Sequence, residues 1–512
     1  MSERKEKTKE FVDELAKVAT VSPKALAIID GPLRVTYEEL MNQVNELAVA
    51  LQQAGLRSGD RVALVAENSA EYLVTAFAVW RAHAVLVTIY PSSTVSTLGH
   101  CLNSSDPVLV FVNESSFDSV RQAVPDWPVA LISDPSVPPV RKAAKETPAD
   151  VRDSLALICY TSGTTSYPKA VMVSTKTLYH GASAYSESWH LGPSDRTVVS
   201  LPMAWLYGLN TTSMATLLRG GTVIPLRRSR PSMLIDAIVE HKATFLPGVT
   251  TMFAKLVQHL DGLDSRPDLS SLRFCLSAGE PRNEHAFDRW TAYTGVPVFD
   301  NYSASECYPL VTYDPQADPA PVPGSAGKVV PGSELRVVDR NGNDVEPGEV
   351  GEGLSRSPGL MLGYWEDAEQ TRAAMTNDGW YRTKDLVRVD ESGFVYVVGR
   401  LSDMIIRGGS NVSPAEVERV VREHPGVRDV SVVGLPDDTY GQRVVAAVVP
   451  DSSVTFDSTS IAEFCSKHLP SYMVPNDYIP VQELPQSKTT GKVDRRQVTA
   501  ILEANRTTAT SS

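Results

Sequence analysis

Tyr160-Thr161-Ser162-Gly163-Thr164-Thr165-Ser166-Tyr167-Pro168-Lys169 is the stretch whose reading decides the fold. It follows an apolar run, Leu155 to Cys159, and precedes a second one, Ala170 to Val173. Hydroxyls crowd around Gly163. Those groups, the backbone N–H donors of such a turn and Lys169 can together wrap a polyphosphate. A polar surface turn is the other reading of the same residues. The loop is not a Walker A sequence, because that spacing and its Lys-Ser/Thr ending are absent.

Working outward, strand and helix signals alternate before the loop. Leu40, Val44, Leu47 and Leu51 share one helical face, and Gly55 is a plausible stop. Arg61 to Val65 reads as a short apolar strand, Tyr72 to Ala82 as a helix, and Val85 to Ile89 and Pro107 to Val112 as strands. Continuous apolar strands separated by helices imply parallel sheets covered by helices. Asp134 to Asp150 and Asp314 to Gly324 are proline-rich breaks. Beyond them, Glu334 to Val338, a turn at Asn341-Gly342 and Gly351 to Leu354 resemble hairpin strands. Phe394 to Val398 is a strand that runs into Gly399-Arg400-Leu401-Ser402-Asp403. Helices over Pro414 to His424 and Ile461 to His468 then flank strands at Val430 to Gly434 and Val444 to Val449. The expected fold is α/β. A large N-terminal domain, 1–400, has parallel helix-covered sheets plus a small β-barrel-like subdomain. A small α+β C-terminal domain, 401–512, follows. Asn505 to Ser512 is expected to be a disordered tail.

Composition narrows the partners. The chain has 512 residues, a soft prior of about three domains or subdomains. Its net charge is -13, and no basic stripe offers a footprint for a nucleic acid. The apolar stretch Tyr72 to Tyr90 holds Arg81 and His83 near its middle, which argues against a membrane span. MSERKEKTKE lacks the apolar core of a secretory signal. Cys101, Cys159, Cys275, Cys307 and Cys465 are scattered, with no Cys-x-x-Cys pair, which suits a reducing cytoplasm.

The phosphate loop resembles the signature of the adenylate-forming enzymes: acyl-CoA synthetases, firefly-type luciferases and peptide-synthetase adenylation domains. Further motifs follow in that family's order. Ser277-Ala278-Gly279-Glu280-Pro281 is similar to its adenine-side turn, and Asn301-Tyr302-Ser303-Ala304-Ser305-Glu306 to its tyrosine-to-glutamate motif. Gly379-Trp380-Tyr381-Arg382-Thr383-Lys384-Asp385 is similar to its ribose motif, and Gly399 to Asp403 to its hinge. Leu484 to Lys492 is similar to its C-terminal lysine motif.

The resemblance implies an acyl-CoA synthetase using ATP, Mg²⁺ and CoA. A small-molecule carboxylate would attack the α-phosphorus of ATP, and CoA would then take the acyl group. The alternative acceptor is a separate carrier protein or partner enzyme. No carrier motif follows Lys492, so the chain is not expected to load a carrier of its own. The implied catalytic groups are Lys492 and Glu306, with Glu306 holding the metal. The implied nucleotide contacts are Thr161, Ser162, Gly163, Thr164, Thr165, Gly279, Glu280, Pro281, Asn301, Ser305 and Asp385. Two readings fit each of three more. Tyr302 is an adenine platform or core, Arg400 a ribose or phosphate ligand or a surface arginine, and Lys169 a phosphate shield or the solvated end of the loop. Gly408 and Gly409 would line a channel for the CoA arm, or form a strand bulge, and Ser402 would be the hinge.

Three departures stand out. Trp205 occupies the place of a family histidine in Pro202 to Gly208, where it either reshapes the acyl entrance or simply packs. Ser402 replaces the usual hinge Asp or Lys. Ser303, Ser305 and Ser166 replace a Gly, a Thr and a Gly. These changes keep adenylation and weaken the expectation for the thioester step. Trp205, Tyr207, Thr250 and Ala278 are candidate acyl-pocket residues. Their mixed apolar character suits a bulky or aryl-like acid: terpenoid or polyketide acids of specialised metabolism, or medium to long fatty acids.

Overall fold

The computed structural model describes residues 11–134, 136–152, 154–161, 168–280, 282–408, 410–437, 439–451, 454–486 and 493–509. The chain divides into two compact units. One runs to Leu335 and includes Ser355–Arg382; the other comprises Arg336–Leu354 and Thr383–Ser512.

The first unit holds two sheets. In one, Gly363–Tyr364, Lys169–Ser174, Leu155–Thr161, Val85–Thr88, Arg61–Val65, Leu109–Val112 and Val129–Leu131 lie side by side in that order. The Arg61–Val65 strand is buried along its whole length. Both of its neighbours run parallel to it. The helix Ala70–Arg81 begins where the Ser69 hydroxyl accepts the Tyr72 N–H (3.1 Å). The helix Tyr37–Gln53 begins with a reciprocal cap between Thr36 and Glu39.

The phosphate-loop strands depart from the parallel pattern: Leu155–Thr161 and Lys169–Ser174 are antiparallel, with Thr161 opposite Lys169. A loop that short cannot supply the crossover that parallel strands require. The second sheet of this unit carries the parallel strands Arg196–Val199, Phe245–Gly248, Phe274–Ala278 and Val298–Ala304. Cys307–Thr312 returns antiparallel beside Val298–Ala304, and Gly327–Val329 pairs antiparallel with it in turn. The core of this sheet includes Phe253, Leu256, Phe287 and the fully buried Trp290.

In the second unit, Val427–Asp437 and Gly441–Pro450 form a long antiparallel pair, beside which Asp477–Pro480 runs parallel. Alternate residues serve opposite faces. Val430 and Val432 pack with Val417, Val421 and Ile461, whereas Val433 and Leu435 pack with Val498 and Leu502. That second face corrects the expectation of a disordered tail from Asn505: the helix Arg495–Ala509 continues past it. The burial of Val498 and Leu502 anchors this helix on the sheet. Among the described residues no helix is long and apolar enough to cross a membrane.

Candidate active site

The acyl-side candidates collect where parallel strands end, the usual position for ligands in such sheets. Gly248 lies beside Ser277 in the strand register. The Tyr207 hydroxyl donates to the Gly248 carbonyl (3.0 Å), and the hydroxyls of Thr250 and Ser277 are 3.1 Å apart. Ala278, one residue on, is buried. Tyr207 opens a π-helical segment, Tyr207–Met214, a rare form found often at functional sites. Nothing in the sequence flagged it. Trp205 lies flat against Tyr90, ring centroids 5.1 Å apart.

Gly279 ends the Phe274–Ala278 strand at φ +78°, a left-handed conformation that suits glycine. Glu280 accepts from the Thr251 N–H (2.8 Å) and hydroxyl (3.2 Å). It therefore caps the helix Thr250–Asp261. Asn301 stands beside Ala278 in register. The Tyr185 hydroxyl reaches Asn301 Oδ1 (3.2 Å) and the Ser303 hydroxyl (2.7 Å). Ser303 also donates to the carbonyl of Tyr302, which is itself half-buried. Next to them, Arg282 Nη1 donates to Asp300 Oδ2 (2.8 Å) within the fold.

Glu306 sits at the tip of the hairpin in which Ala304 pairs with Cys307. It is buried, its carbonyl accepts the Met361 N–H (2.9 Å), and its Oε1 accepts the Tyr364 hydroxyl (2.9 Å). Burial together with the Glu306 charge pushes the Cys159 thiol up to about 12. Tyr364, which holds Glu306, pairs with Val171 on the strand that leaves the phosphate loop. At the start of that strand, Lys169 Nζ stands 5.1 Å from the centre of the Tyr364 ring. One carboxylate, completed by phosphate oxygens and water, is a donor set that suits Mg²⁺. No cluster of three or more His, Cys, Asp or Glu forms an all-protein metal cage among the described residues. Ser162, Gly163, Thr164, Thr165, Pro281, Gly409 and Lys492 lie outside the described residues.

In the second unit, Asp385 and Arg400 face each other across paired strands, with Nε 2.6 Å from Oδ1. Asp385 is buried, and its N–H donates to the Thr383 hydroxyl (3.1 Å). Ser402 lies in the short turn Leu401–Asp403 and donates to Asp403 Oδ1 (3.0 Å). Gly408 adopts φ +56° and donates its N–H to the Tyr440 carbonyl (2.8 Å).

The sequence motifs missed Tyr364, Tyr185 and Tyr90 as partners of site residues. Tyr381, inside the ribose motif, is a further neighbour of Tyr364 that the motifs did not flag. Each meets its partner only through the tertiary fold.

Fold and site together define an adenylate-forming enzyme: the chain belongs to the AMP-binding enzyme family, whose model matches residues 15–365, with the AMP-binding enzyme C-terminal domain matching 416–492. A feruloyl-CoA synthase of Amycolatopsis sp. is 33% identical over 483 residues, covering 94% of this chain and 96% of that one. The structure of ATP-bound MatB from Rhodopseudomonas palustris superposes with a TM-score of 0.85 at 28% identity, covering 96% of this chain and 98% of that one. The anthranilate CoA ligase AuaEII in complex with anthranoyl-AMP gives a TM-score of 0.86 at 26% identity, covering 97% and 98%.

Proposed function

We propose that the protein is an AMP-forming acid–thiol ligase. A carboxylate attacks the α-phosphorus of ATP, pyrophosphate leaves, and the acyl group of the resulting adenylate passes to the CoA thiol with release of AMP. The observation that carries this reading is the buried Glu306 carboxylate held by Tyr364, whose strand pairs with the strand that leaves the phosphate loop.

The physical difficulty is that two anions must meet. At 4 Å two like unit charges cost about 1 kcal/mol in water and about 4 kcal/mol at an effective dielectric near 20. Positive charge has to be fixed in advance. Glu306 holds Mg²⁺, which when bound neutralises phosphate charge. Lys492 directs its ammonium at the α-phosphate and the attacking carboxylate. Thr161 to Thr165 cradle the phosphates, and Lys169 closes the loop. Asp385 accepts the ribose hydroxyls and is held in place by Arg400. Tyr302, Asn301 and the Gly279–Pro281 turn hold the base.

Residues 401–512 form a mobile domain that turns about Ser402 after the first half-reaction, as a hinge at the end of an element permits. Gly408 and Gly409 then leave room for the CoA arm. Trp205, Tyr207, Thr250 and Ala278 suit a bulky or aryl acid. The feruloyl and anthranoyl substrates named for two relatives support that class. Five buried thiols support a cytoplasmic location.

The test is a panel of carboxylic acids assayed for pyrophosphate release with and without CoA. Acid-dependent release together with a CoA thioester is expected. Release without thioester would make a carrier protein or partner enzyme the acceptor, and no release with any acid would refute acid activation.

A further inference from the structure

Glu306 is a flexible side chain at a hairpin tip, yet its carboxylate is tied at one oxygen. Tyr364 is the tie. Its own placement is firm: it pairs with Val171 in the strand register, and its N–H donates to the Thr371 hydroxyl (2.9 Å). Gly363 before it stands at φ +135°, where an added Cβ would lie 2.9 Å from Thr371 Cγ2. Having given its only hydrogen to Glu306, the Tyr364 oxygen can accept one, and the Tyr381 phenol is the neighbour that interacts with it. Tyr381 is buried and bridged to Met375. Among the described residues no hydrogen bond reaches Glu306 Oε2.

We propose that Tyr364 is a positioning residue for Glu306, and that Tyr381 fixes Tyr364. Two buried phenols in series thereby set the orientation of the carboxylate that holds the metal. This rests on the reading of Glu306 as that metal's ligand. A phenol suits the task because it donates without bringing positive charge that would compete with a cation. A phenol of ordinary pKa, about 10, stays a donor at working pH.

The test uses full-length protein and two readouts. One is Mn²⁺ binding with a non-hydrolysable ATP analogue, followed by electron paramagnetic resonance. The other is the Mg²⁺ dependence of acid-driven pyrophosphate release. Tyr364→Phe keeps the ring beneath Lys169 and removes only the hydroxyl. It is expected to weaken Mn²⁺ binding and raise the Mg²⁺ half-activation about tenfold, as loss of a hydrogen bond to a charged group would. The half-activation should move more than kcat at saturating Mg²⁺. Tyr381→Phe should shift both in the same direction, by about threefold. Glu306→Gln should exceed either. Wild-type Mn²⁺ binding in Tyr364→Phe alongside a defect in Glu306→Gln would overturn the relay and leave the glutamate's role standing. A Tyr364→Phe defect in kcat that no Mg²⁺ concentration relieves, with Mn²⁺ affinity intact, would reduce the tyrosine to a structural part and also overturn the relay. Wild-type Mn²⁺ binding in Glu306→Gln would refute the metal reading and the relay with it.

Discussion

Arg400 reaches across its strand pair to place Nε 2.6 Å from Oδ1 of Asp385, and the two ends of this ion pair are unequally exposed. The Asp385 side chain is 6% exposed, whereas that of Arg400 is 57% exposed. The arginine therefore acts on the aspartate's orientation more than on the stability of the fold. An ion pair open to solvent on one side contributes about 1 kcal/mol or less.

From this, Arg400→Ala is expected to raise the KM for ATP several-fold while lowering Tm by only a few degrees. Asp385→Ala should raise KM further. Steady-state kinetics and a thermal melt of each variant check both statements. A large Tm loss with unchanged KM would assign the pair to stability.

Lys492→Ala is expected to lower carboxylate-dependent ATP–pyrophosphate exchange by about 10²–10³. Nucleotide binding, measured by calorimetry, should be nearly intact. Unchanged exchange would remove the proposed role of that lysine.

Trp205→Ala should change which acids are accepted more than it changes the KM for ATP. Losing the stack on Tyr90 costs about 0.5–1.5 kcal/mol beyond the buried area, which is tolerable for the fold. Equal losses for every acid in a panel would show that the stack is packing alone.

The Cys159 thiol, raised to about 12, should resist iodoacetamide at pH 8 in the folded protein and react in denaturant. The sign follows from burial and the Glu306 charge, which both disfavour the thiolate. In Glu306→Gln one of these two causes is gone, so reactivity should rise. Peptide mass spectrometry after timed labelling reads the outcome.

Local chemistry was legible where the needed groups are close along the chain. The phosphate loop lies between two apolar runs, and those runs are the paired strands Leu155–Thr161 and Lys169–Ser174. The 399–403 stretch joins a strand to a short turn because its residues are consecutive. The helices Ala70–Arg81 and Pro414–Arg422 lie where the sequence reads helix over Tyr72 to Ala82 and Pro414 to His424, each boundary within two residues.

What the sequence by itself determined is the chemical inventory in order: the hydroxyl-rich loop, the glutamate, the aspartate and the terminal lysine, with alternating elements to carry them. Tertiary structure alone decided which groups meet across distance. Tyr364 reaches Glu306 from 58 positions away, and Trp205 rests on Tyr90. Such contacts depend on strand order and register, which are set by the burial of many side chains at once. No local pattern records that sum, because periodicity fixes which face a residue takes and leaves open which neighbour it will find there.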